Sequence, residues 1–278
     1  MLKPWMIPAD LAPGDAKSAT GDWSGFELHD IRSIDDPMFR MAFDALWEEF
    51  GAKNELETAD VLAQRMRWDP SRLVNGCSLL YQLLLVTRDG AFVGVRDHAA
   101  IVRPDFDAAV VHMSHNLVAP DARRSGIAGW LRALPVQTAR ACLASQKRTG
   151  PIILVAEMEP LDATDVARTI RLTAYEKSGY RMIDPSVVSF LQPDFRPAQE
   201  IDATGGPRPL RLNLLVRVVG EEFRKSLDGA AVRGIATSLY RMYGAGFREE
   251  DMKPLWENLE RFPPDDATVR LVPPTAAP

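Results

Sequence analysis

The chain has 278 residues, enough for one large domain or two small ones with a substantial core. Hydrophobic residues make up 46% and charged residues 26%, a composition that excludes a wholly disordered chain. The formal net charge is −5, so the chain has no overall positive field to attract nucleic acid or an anionic membrane. We therefore predict a protein with neither a nucleic-acid nor a membrane partner.

The two cysteines, Cys77 and Cys142, are too few for a disulfide framework, and we expect both thiols to be reduced and partly buried. Residues 1–8 lack the continuous apolar core of a signal peptide. The densest apolar run, residues 77–86, is far too short to span a bilayer. These features predict a soluble, cytoplasmic protein.

Hydrophobic periodicity predicts a mixture of strands and amphipathic helices. The predicted strands cover residues 26–32, 79–87, 91–102, 108–118, 151–159, 181–191 and 210–219. The predicted helices cover residues 37–50, 58–68, 126–145 and 164–178. Pro135 lies inside the third helix and is expected to kink or interrupt it. The order β-α-α-β-β-β-α-β-α-β-β predicts a layered α/β architecture.

Composition divides the chain into segments. We predict an irregular arm over residues 1–24 and a compact domain over residues 25–219. After the domain we predict a helical extension over residues 220–262 and a loose, proline-rich tail over residues 263–278. The extension carries an apolar stripe formed by Ala231, Ile235, Leu239 and Tyr243. The extension and a long loop over residues 192–209 are expected to close a cleft, to cover a sheet edge, or to join two copies in a homodimer.

Two short motifs carry the functional signal. In residues 117–130 a strand ends, and a basic loop with Gly126 leads directly into a helix. Such a loop offers unpaired backbone amides and the positive end of the helix dipole to an anion. The second motif, Ala-Tyr-Glu-Lys-Ser-Gly-Tyr over residues 174–180, ends a later helix. The alternative interpretation of the first motif is an ordinary strand-to-helix turn in which Gly126 only allows tight packing.

The spacing of Arg123, Gly126 and Ala128 resembles the pyrophosphate-binding loop of the GNAT acetyltransferase superfamily, and residues 174–180 resemble its second hallmark. The resemblance covers residues 26–219. It implies an α/β fold of the GNAT acyl-CoA N-acyltransferase type: a mixed, mostly antiparallel central sheet with helices on both faces, here followed by a C-terminal helical extension. It also implies acetyl-CoA as co-substrate, no metal, and transfer of the acetyl group to a primary amine of a small molecule or protein.

The resemblance places the coenzyme on the loop, the strand end before it and the helix start after it. The pantetheine arm is expected at the amides of Leu117 and Ala119. The expected donors to the pyrophosphate are the amides of Arg124, Ser125, Gly126, Ala128 and Gly129. The full set of expected contacts is Leu117, Val118, Ala119, Arg123, Arg124, Ser125, Gly126, Ile127, Ala128 and Gly129. Arg168 and Arg171 stand where many members have asparagine and alanine. They either disturb the coenzyme contacts or add phosphate contacts of their own.

Acyl transfer from a thioester to an amine requires loss of a proton from the amine, stabilisation of an oxyanion and protonation of the leaving thiolate. The resemblance gives Tyr175 the role of general acid. The alternative is a packing tyrosine in the last turn of its helix. The amide of Val118 is the expected donor to the oxyanion.

His112, on the strand before the loop, is the first candidate for the general base, because histidine accepts a proton near neutral pH. The alternative is a hydrogen-bonded core histidine. Glu157 is a second candidate as base or amine anchor, ahead of Glu159, because ligands of open α/β sheets bind near strand ends. An acceptor that arrives as a neutral amine needs no base. Strand alternation predicts that His115 points away from His112, so no metal site is predicted.

Two other functions are open at this point. One keeps the fold and uses a longer acyl-CoA donor, in a channel widened around Pro135. The other is a non-catalytic acyl-CoA-binding sensor module, for which the exchanged residues Arg168 and Arg171 leave room. The presence of Tyr175 and of the intact glycine loop favours an enzyme.

Overall fold

A computed structural model describes residues 5–53 and 55–276 of the chain. Its strands are β1 Phe26–Ile31, β2 Leu73–Val74, β3 Cys77–Arg88, β4 Ala91–Val102, β5 Ala109–His112, β6 Asn116–Val118, β7 Ile152–Met158, β8 Arg181–Ile183, β9 Phe190–Gln192, β10 Leu210–Val218, β11 Ser226–Asp228 and β12 Thr268–Val272. Its α-helices are α1 Phe39–Phe50, α2 Ala59–Met66, α3 Ile127–Ser145, α4 Val166–Lys177, α5 Ala198–Ala203, α6 Gly229–Tyr243 and α7 Glu249–Leu259. Each strand and helix predicted from hydrophobic periodicity has a counterpart in the structure.

The strands form one sheet in the order β1-β3-β4-β5-β7-β10-β8-β12-β11. Short strands pair off this path: β2 with β3, β6 with β4 and β9 with β10. Neighbouring strands are antiparallel, whereas β5 and β7 are parallel. The sheet is therefore mixed and mostly antiparallel, as predicted.

The longest hairpin, β3–β4, turns at Asp89 and Gly90, whose φ angles are 50° and 80°. Left-handed residues at both turn positions match the right-handed twist of the flanking strands, and Asp-Gly is a favoured pair for such a turn. The two long strands of this hairpin are the base on which the site is built.

The predicted strand over residues 108–118 is divided into β5 and β6 by an irregular stretch, residues 113–115. β5 pairs with β4 on one side and with β7 on the other, whereas β6 pairs with β4. The Met113 amide donates to the Val155 carbonyl at 2.8 Å. Beyond this bond β6 and the end of β7 separate, and we call the space between β6 and residues 156–158 the strand gap.

Helices cover both faces of the sheet. On one face α1, α2, α6 and α7 share a core with residues such as Val110 and Val155. On the other face α3 and α4 pack on their strand neighbours, such as Val111 and Leu154. Successive side chains of a strand point to opposite faces, so position along a strand decides which helical layer a side chain meets.

The C-terminal extension belongs to the core. Helix α6 packs on β3, β4 and β5, and Leu239 and Tyr243 are fully buried. The prediction of a loose tail over residues 263–278 is wrong for Thr268–Val272, because this segment is β12 and pairs with β8 and β11. The extension therefore supplies part of one helical layer and lengthens the sheet.

Other elements differ from prediction in detail. The strand predicted over residues 181–191 is divided into β8 and β9 by a turn, in which Asp184 accepts bonds from the Ser186 amide at 3.0 Å and hydroxyl at 2.6 Å. The loop over residues 192–209 contains α5. Helix α3 continues through Pro135 as one helix, although proline has no amide to donate.

The N-terminal arm folds as short 3₁₀ turns over Pro8–Asp10 and Pro13–Thr20. The indole N–H groups of Trp23 and Trp130 both donate to the Ser18 carbonyl at 3.0 Å. These bonds fasten the arm to the first turns of α3, next to the glycine loop.

Cys77 and Cys142 are buried as thiols, and burial raises the pKa of each to about 11. The sequence predicted reduced, partly buried thiols; both cysteines are free, and both are more deeply buried than predicted. Within residues 5–53 and 55–276, no helix combines the length and the apolar character needed to cross a membrane.

Candidate functional site

The strand gap opens into a cleft of about 400 Å³. Its walls come from β6, the end of β7, the start of α3, one side of α4 and the end of α1. The residues that line it are Glu49, Phe50, Glu55, Ser114, His115, Asn116, Leu117, Val118, Arg123, Ala128, Arg132, Glu157, Met158, Glu159, Ala167, Arg171, Ala174, Tyr175, Gln192, Leu210 and Leu212. The cleft therefore brings together seven of the predicted site residues: Leu117, Val118, Arg123, Ala128, Glu157, Arg171 and Tyr175.

Hydrogen bonding of β6 decides which of its amides face the strand gap. The Ala119 amide donates to the Val93 carbonyl of β4 at 2.9 Å. Alternate residues of an antiparallel strand bond to the same neighbour, so the Leu117 amide is also directed at β4. The amides of Asn116 and Val118 face the gap instead. The prediction that Leu117 and Ala119 offer their amides to a pantetheine arm is therefore wrong, because these two amides are directed at β4. The amides available to the arm are those of the neighbouring residues, Asn116 and Val118.

The loop before α3 has left-handed backbone at two positions. The φ angle is 68° at Arg124 and 96° at Gly126, which caps the helix. The Ser125 amide bonds within the loop at 3.3 Å, and the Gly129 amide donates to the Gly126 carbonyl at 3.0 Å. These two amides, predicted as phosphate donors, are therefore occupied within the chain. The amides of Arg124, Gly126 and Ala128 are the candidates that follow from the resemblance.

Side chains of the loop divide between solvent and core. Arg123, Arg124 and Ser125 are exposed, whereas Ile127 is buried in the core and touches no solvent-filled space. A Cβ on Gly129 would lie 2.4 Å from Ser18 Oγ, so the arm also requires glycine at that position. The loop thus serves tight packing as well as presenting amides.

Basic side chains flank the cleft on the α3–α4 side. Arg132 on α3 is held by Asp15, with Nε at 3.0 Å and a terminal nitrogen at 2.5 Å. On α4, Arg168 and Arg171 each lie 3.1 Å from a carboxylate oxygen of Glu159. Arg171 lines the cleft, whereas Arg168 is not one of its lining residues. Both arginines are thus engaged by one partly exposed carboxylate at the cleft rim.

Tyr175 occupies the inner part of α4, with 6% of its surface exposed. Its ring meets Tyr180 edge-on, with centroids 4.8 Å apart. Among the described residues the buried Tyr180 hydroxyl has no hydrogen-bond partner. Tyr175 therefore has both a packed ring and a place on the cleft wall.

Glu157 lies at the opposite side of the strand gap, on the sheet face covered by α6. Its carboxylate accepts a bond from the Tyr243 hydroxyl at 3.0 Å and from the Gln192 side-chain amide at 2.6 Å. The same Tyr243 oxygen lies 3.1 Å from His112 Nε2, and His112 Nδ1 lies 3.0 Å from Ser114 Oγ. A buried polar cluster therefore surrounds the carboxyl.

Burial shifts the two candidate bases in opposite senses. It raises the pKa of Glu157 to about 7 and lowers the pKa of His112 to about 3. A carboxyl that titrates near neutral pH can accept and release a proton in each turnover. His112 is neutral under the same conditions and does not retain a proton as imidazolium. The direction of these two shifts makes Glu157, the second candidate, the base that we carry into the proposed function in place of His112.

His115 does not point away from His112 as predicted. The irregular stretch over residues 113–115 breaks the alternation, and both histidines line a smaller cavity of about 40 Å³ beside Glu157. His115 Nδ1 lies 2.9 Å from Asp97 Oδ1. Burial opposes a charge on this ring, but Asp97 raises the pKa of His115 overall. Among the described residues, no three His, Cys, Asp or Glu side chains are grouped so as to hold a metal ion.

Sequence analysis missed Tyr243 and Gln192. Tyr243 ends the apolar stripe of the extension, and its spacing alone indicates a core residue. One feature of the sequence could have indicated a role in the site: the Tyr243 hydroxyl is the one polar group on that stripe, and a buried hydroxyl needs a hydrogen-bond partner. Gln192 ends β9 and is part of no motif, so nothing in the sequence pointed to it.

No protein-family model matches the sequence, and no curated protein matches it. Solved structures to which the chain is similar include N-acetylglutamate synthase from Neisseria gonorrhoeae, an acetyltransferase from Streptococcus agalactiae and a protein assigned to the GNAT family from Desulfovibrio desulfuricans. The sequence identities are 14%, 14% and 15%, and the TM-scores are 0.38, 0.40 and 0.39. Each match covers 70% of this chain, and 35%, 99% and 99% of the other chain. The chain thus spans about a third of the N-acetylglutamate synthase.

The molecule is an α/β protein whose mixed sheet opens between two central strands to form a cleft. A mixed, mostly antiparallel sheet with helices on both faces is the architecture that the resemblance carried by the two motifs predicts. A fold does not determine an activity, so the activity has to follow from the geometry of the cleft.

Proposed function

We propose that the protein is an acetyl-CoA-dependent N-acetyltransferase that moves an acetyl group directly to a primary amine of a small molecule or protein. The observation that carries this proposal is the strand gap, which joins a donor side between α3 and α4 to an acceptor side beneath α6. Tyr175 lies on the donor side and Glu157 on the acceptor side, and both line one cleft. Direct transfer requires this arrangement, because both substrates have to meet in one place.

The donor side suits the coenzyme's phosphates and its thioester arm. The amides of Arg124, Gly126 and Ala128 stand at the positive end of the α3 dipole and would receive the pyrophosphate. The guanidinium of Arg171, on the cleft wall, supplies a further phosphate contact. The Asn116 amide, which faces the strand gap, would hold the pantetheine arm and lead the thioester toward Glu157.

The chemistry follows from the groups on the two sides. The amine nitrogen attacks the thioester carbonyl carbon, and Glu157 takes the proton that the nitrogen loses. The amide of Val118 stabilises the oxyanion, since it faces the strand gap. When the carbon–sulfur bond breaks, the Tyr175 hydroxyl donates its proton to the thiolate, and the tyrosinate regains a proton from solvent when coenzyme A leaves. The products are the N-acetylated acceptor and free coenzyme A.

Acetyl-CoA should raise the melting temperature of the protein, because a ligand that binds the native state alone stabilises it. Release of the coenzyme thiol with a panel of amines then measures transfer. Tyr175→Phe should lower kcat strongly and leave the Kd of acetyl-CoA nearly unchanged. The matched control is Tyr180→Phe, which removes a buried hydroxyl that has no partner among the described residues. An unchanged melting temperature with acetyl-CoA and several related thioesters would refute the proposal.

A further inference from the structure

A continuous chain of hydrogen-bond contacts runs from Glu157 through Tyr243 and His112 to Ser114. Oε1 of Glu157 lies 3.0 Å from the Tyr243 hydroxyl, which lies 3.1 Å from His112 Nε2. His112 Nδ1 lies 3.0 Å from Ser114 Oγ. Tyr243 is fully buried and His112 is 5% exposed, whereas Ser114 is partly exposed and lines the main cleft. The chain therefore connects a buried carboxyl to a hydroxyl that solvent can reach.

We propose that these four residues form a proton relay, which carries the proton taken up by Glu157 to Ser114 and from there to water. The proposal rests on the proposed function, because Glu157 receives this proton from the acceptor amine. Glu157 has to lose it before the next turnover. Its two oxygens contact Tyr243 and Gln192, and bound substrates cover its cleft side. Oε1 also lies 3.5 Å from His112 Nε2, so the path through side chains leads to His112, and its shortest contacts pass through Tyr243.

Before the transfer, protonated Glu157 donates to the Tyr243 oxygen, and the Tyr243 hydroxyl donates to His112 Nε2. His112 carries its own proton on Nδ1 and donates it to Ser114 Oγ. Each proton then moves one contact along the chain, and the original Ser114 hydroxyl proton passes to water. Afterwards Glu157 is an anion that accepts a bond from Tyr243, and His112 is the other neutral tautomer. One proton has left, and bonds between heavy atoms are unchanged.

The electrostatics of the cluster favour a relay whose inner members stay neutral. Burial lowers the pKa of His112 to about 3, so an imidazolium is costly there, whereas exchange between neutral tautomers is not. Burial also raises the pKa of Tyr243 well above its usual value, which disfavours a tyrosinate. Concerted movement along the chain avoids both ions.

The smaller cavity gives the proton an exit while substrates occupy the cleft. It has a volume of about 40 Å³ and is lined by all four members of the chain, Glu157, Tyr243, His112 and Ser114, among other residues. That space is sufficient for a water molecule, and its walls supply several polar partners. Tyr243 thus acts as a positioning and relay residue that touches neither substrate.

Tyr243→Phe tests the relay, since it removes the central hydroxyl and keeps the ring. Tyr240→Phe is the matched control, because Tyr240 is also buried in α6 and its hydroxyl accepts from the Leu191 amide at 3.3 Å. In dilute buffer, Tyr243→Phe should lower kcat roughly 10- to 100-fold with an unchanged KM for acetyl-CoA. Added imidazole buffer should restore much of this loss, because it carries protons in place of the relay. Tyr240→Phe should respond to buffer as the wild-type protein does.

A double variant separates a relay from independent packing effects. Tyr243→Phe and His112→Gln interrupt the same path, so the double variant should be no slower than the slower single variant. Additive losses without rescue by buffer would overturn the relay. If Tyr243→Phe does not fold, Ser114→Ala removes the outer hydroxyl with little change in packing and should show the same dependence on buffer. Insensitivity of Ser114→Ala to buffer would then overturn the relay.

An infrared titration separates failure of the relay from failure of the proposed function. The protonated Glu157 carboxyl has a C=O stretching band, which Glu157→Gln identifies by removing it. Tyr243→Phe should shift the pH at which this band disappears, whether or not the protein transfers acetyl groups. If the wild-type protein acetylates no amine and Tyr243→Phe still shifts this pH, the proposed function is refuted, whereas the contact between Tyr243 and Glu157 is supported. An active wild-type protein with no shift would refute the relay alone.

Discussion

The hydroxyl of Tyr243 lies 3.0 Å from a carboxylate oxygen of Glu157. This contact joins α6 of the C-terminal extension to the end of the central strand β7. The protonation of Glu157 therefore depends on a helix outside the region of GNAT resemblance. A displacement of α6 from the sheet would change the charge state of the proposed base before it changed the coenzyme loop.

The pH dependence of kcat/KM should follow Glu157. The ionised carboxylate accepts the amine proton, so kcat/KM should rise with pH to a plateau, with a midpoint near pH 7. Glu157→Gln should lower kcat/KM by roughly 10²- to 10⁴-fold and flatten this rise. His112→Gln should retain a rise in the neutral range, because burial lowers the pKa of His112 to about 3. A rise that disappears in His112→Gln and persists in Glu157→Gln would assign the base to His112.

Burial of Glu157 should also destabilise the fold in a pH-dependent way. The unfolded carboxyl ionises near its ordinary pKa of 4.5, whereas the folded one ionises near 7. The cost is therefore absent below pH 4.5, grows between these values and is constant above pH 7, where it approaches about 3 kcal/mol. Glu157→Gln should gain stability relative to wild type as pH rises from 4.5 to 8, measured by urea unfolding. A difference in unfolding free energy that is constant over this range would contradict the assignment.

Much of the fold follows from hydrophobic periodicity, since a strand or helix with one buried face shows that face in its spacing. Strand boundaries were predicted wrongly where the pairing between strands, and not the hydrophobic spacing, decides where a strand begins or ends. The break at residues 113–115 lies inside one apolar run, and its position is set by the neighbouring strand β7. The strand Thr268–Val272 is short and lies between proline-rich stretches, and its pairing with β8 and β11 is a distant contact.

The parts of the site that are formed by consecutive residues were predictable from the sequence. The loop at Gly126 and the helix of Tyr175 are local motifs, and Tyr175 and the loop neighbours Arg123 and Ala128 line the cleft. The base was harder, because burial and partners decide a pKa, and neither is visible in a sequence. His112 and Glu157 were both candidates, and their order changed once burial was known. Tyr243 comes from a distant segment, and no spacing rule connects it to Glu157.

Gly126→Ala should separate backbone strain from coenzyme binding when it is compared with Gly90→Ala. The φ angles of these glycines are 96° and 80°, so alanine costs about 1 to 2 kcal/mol at either position. A Cβ on Gly90 meets open space, whereas one on Gly126 lies 3.2 Å from Ser18 Oγ. Both variants should lose stability in thermal unfolding. Gly126→Ala alone should raise the Kd of acetyl-CoA, by roughly tenfold or about 1.4 kcal/mol. Equal affinity in the two variants would remove the loop amides from the coenzyme site.

Glu159→Gln should strengthen coenzyme binding, and Arg171→Gln should weaken it. Glu159 engages Arg168 and Arg171 at 3.1 Å each, and it places a negative charge beside the proposed phosphate site. Its removal makes the guanidinium of Arg171, which lines the cleft, available to phosphate. The Glu159 side chain is 36% exposed, so its ion pairs contribute little to stability and the melting temperature should change slightly.

Isothermal titration with coenzyme A at low and high salt measures this prediction, and the effect should shrink at high salt because exposed charges are screened. Glu221→Gln is the matched control, because Glu221 pairs with Arg224 at 3.2 Å on a different loop. Its Kd should equal that of the wild-type protein. If Glu159→Gln gives the same Kd as Glu221→Gln at both salt concentrations, Arg171 does not contact the coenzyme. The arginines of α4 would then serve only to pair with Glu159, which connects the end of β7 to α4.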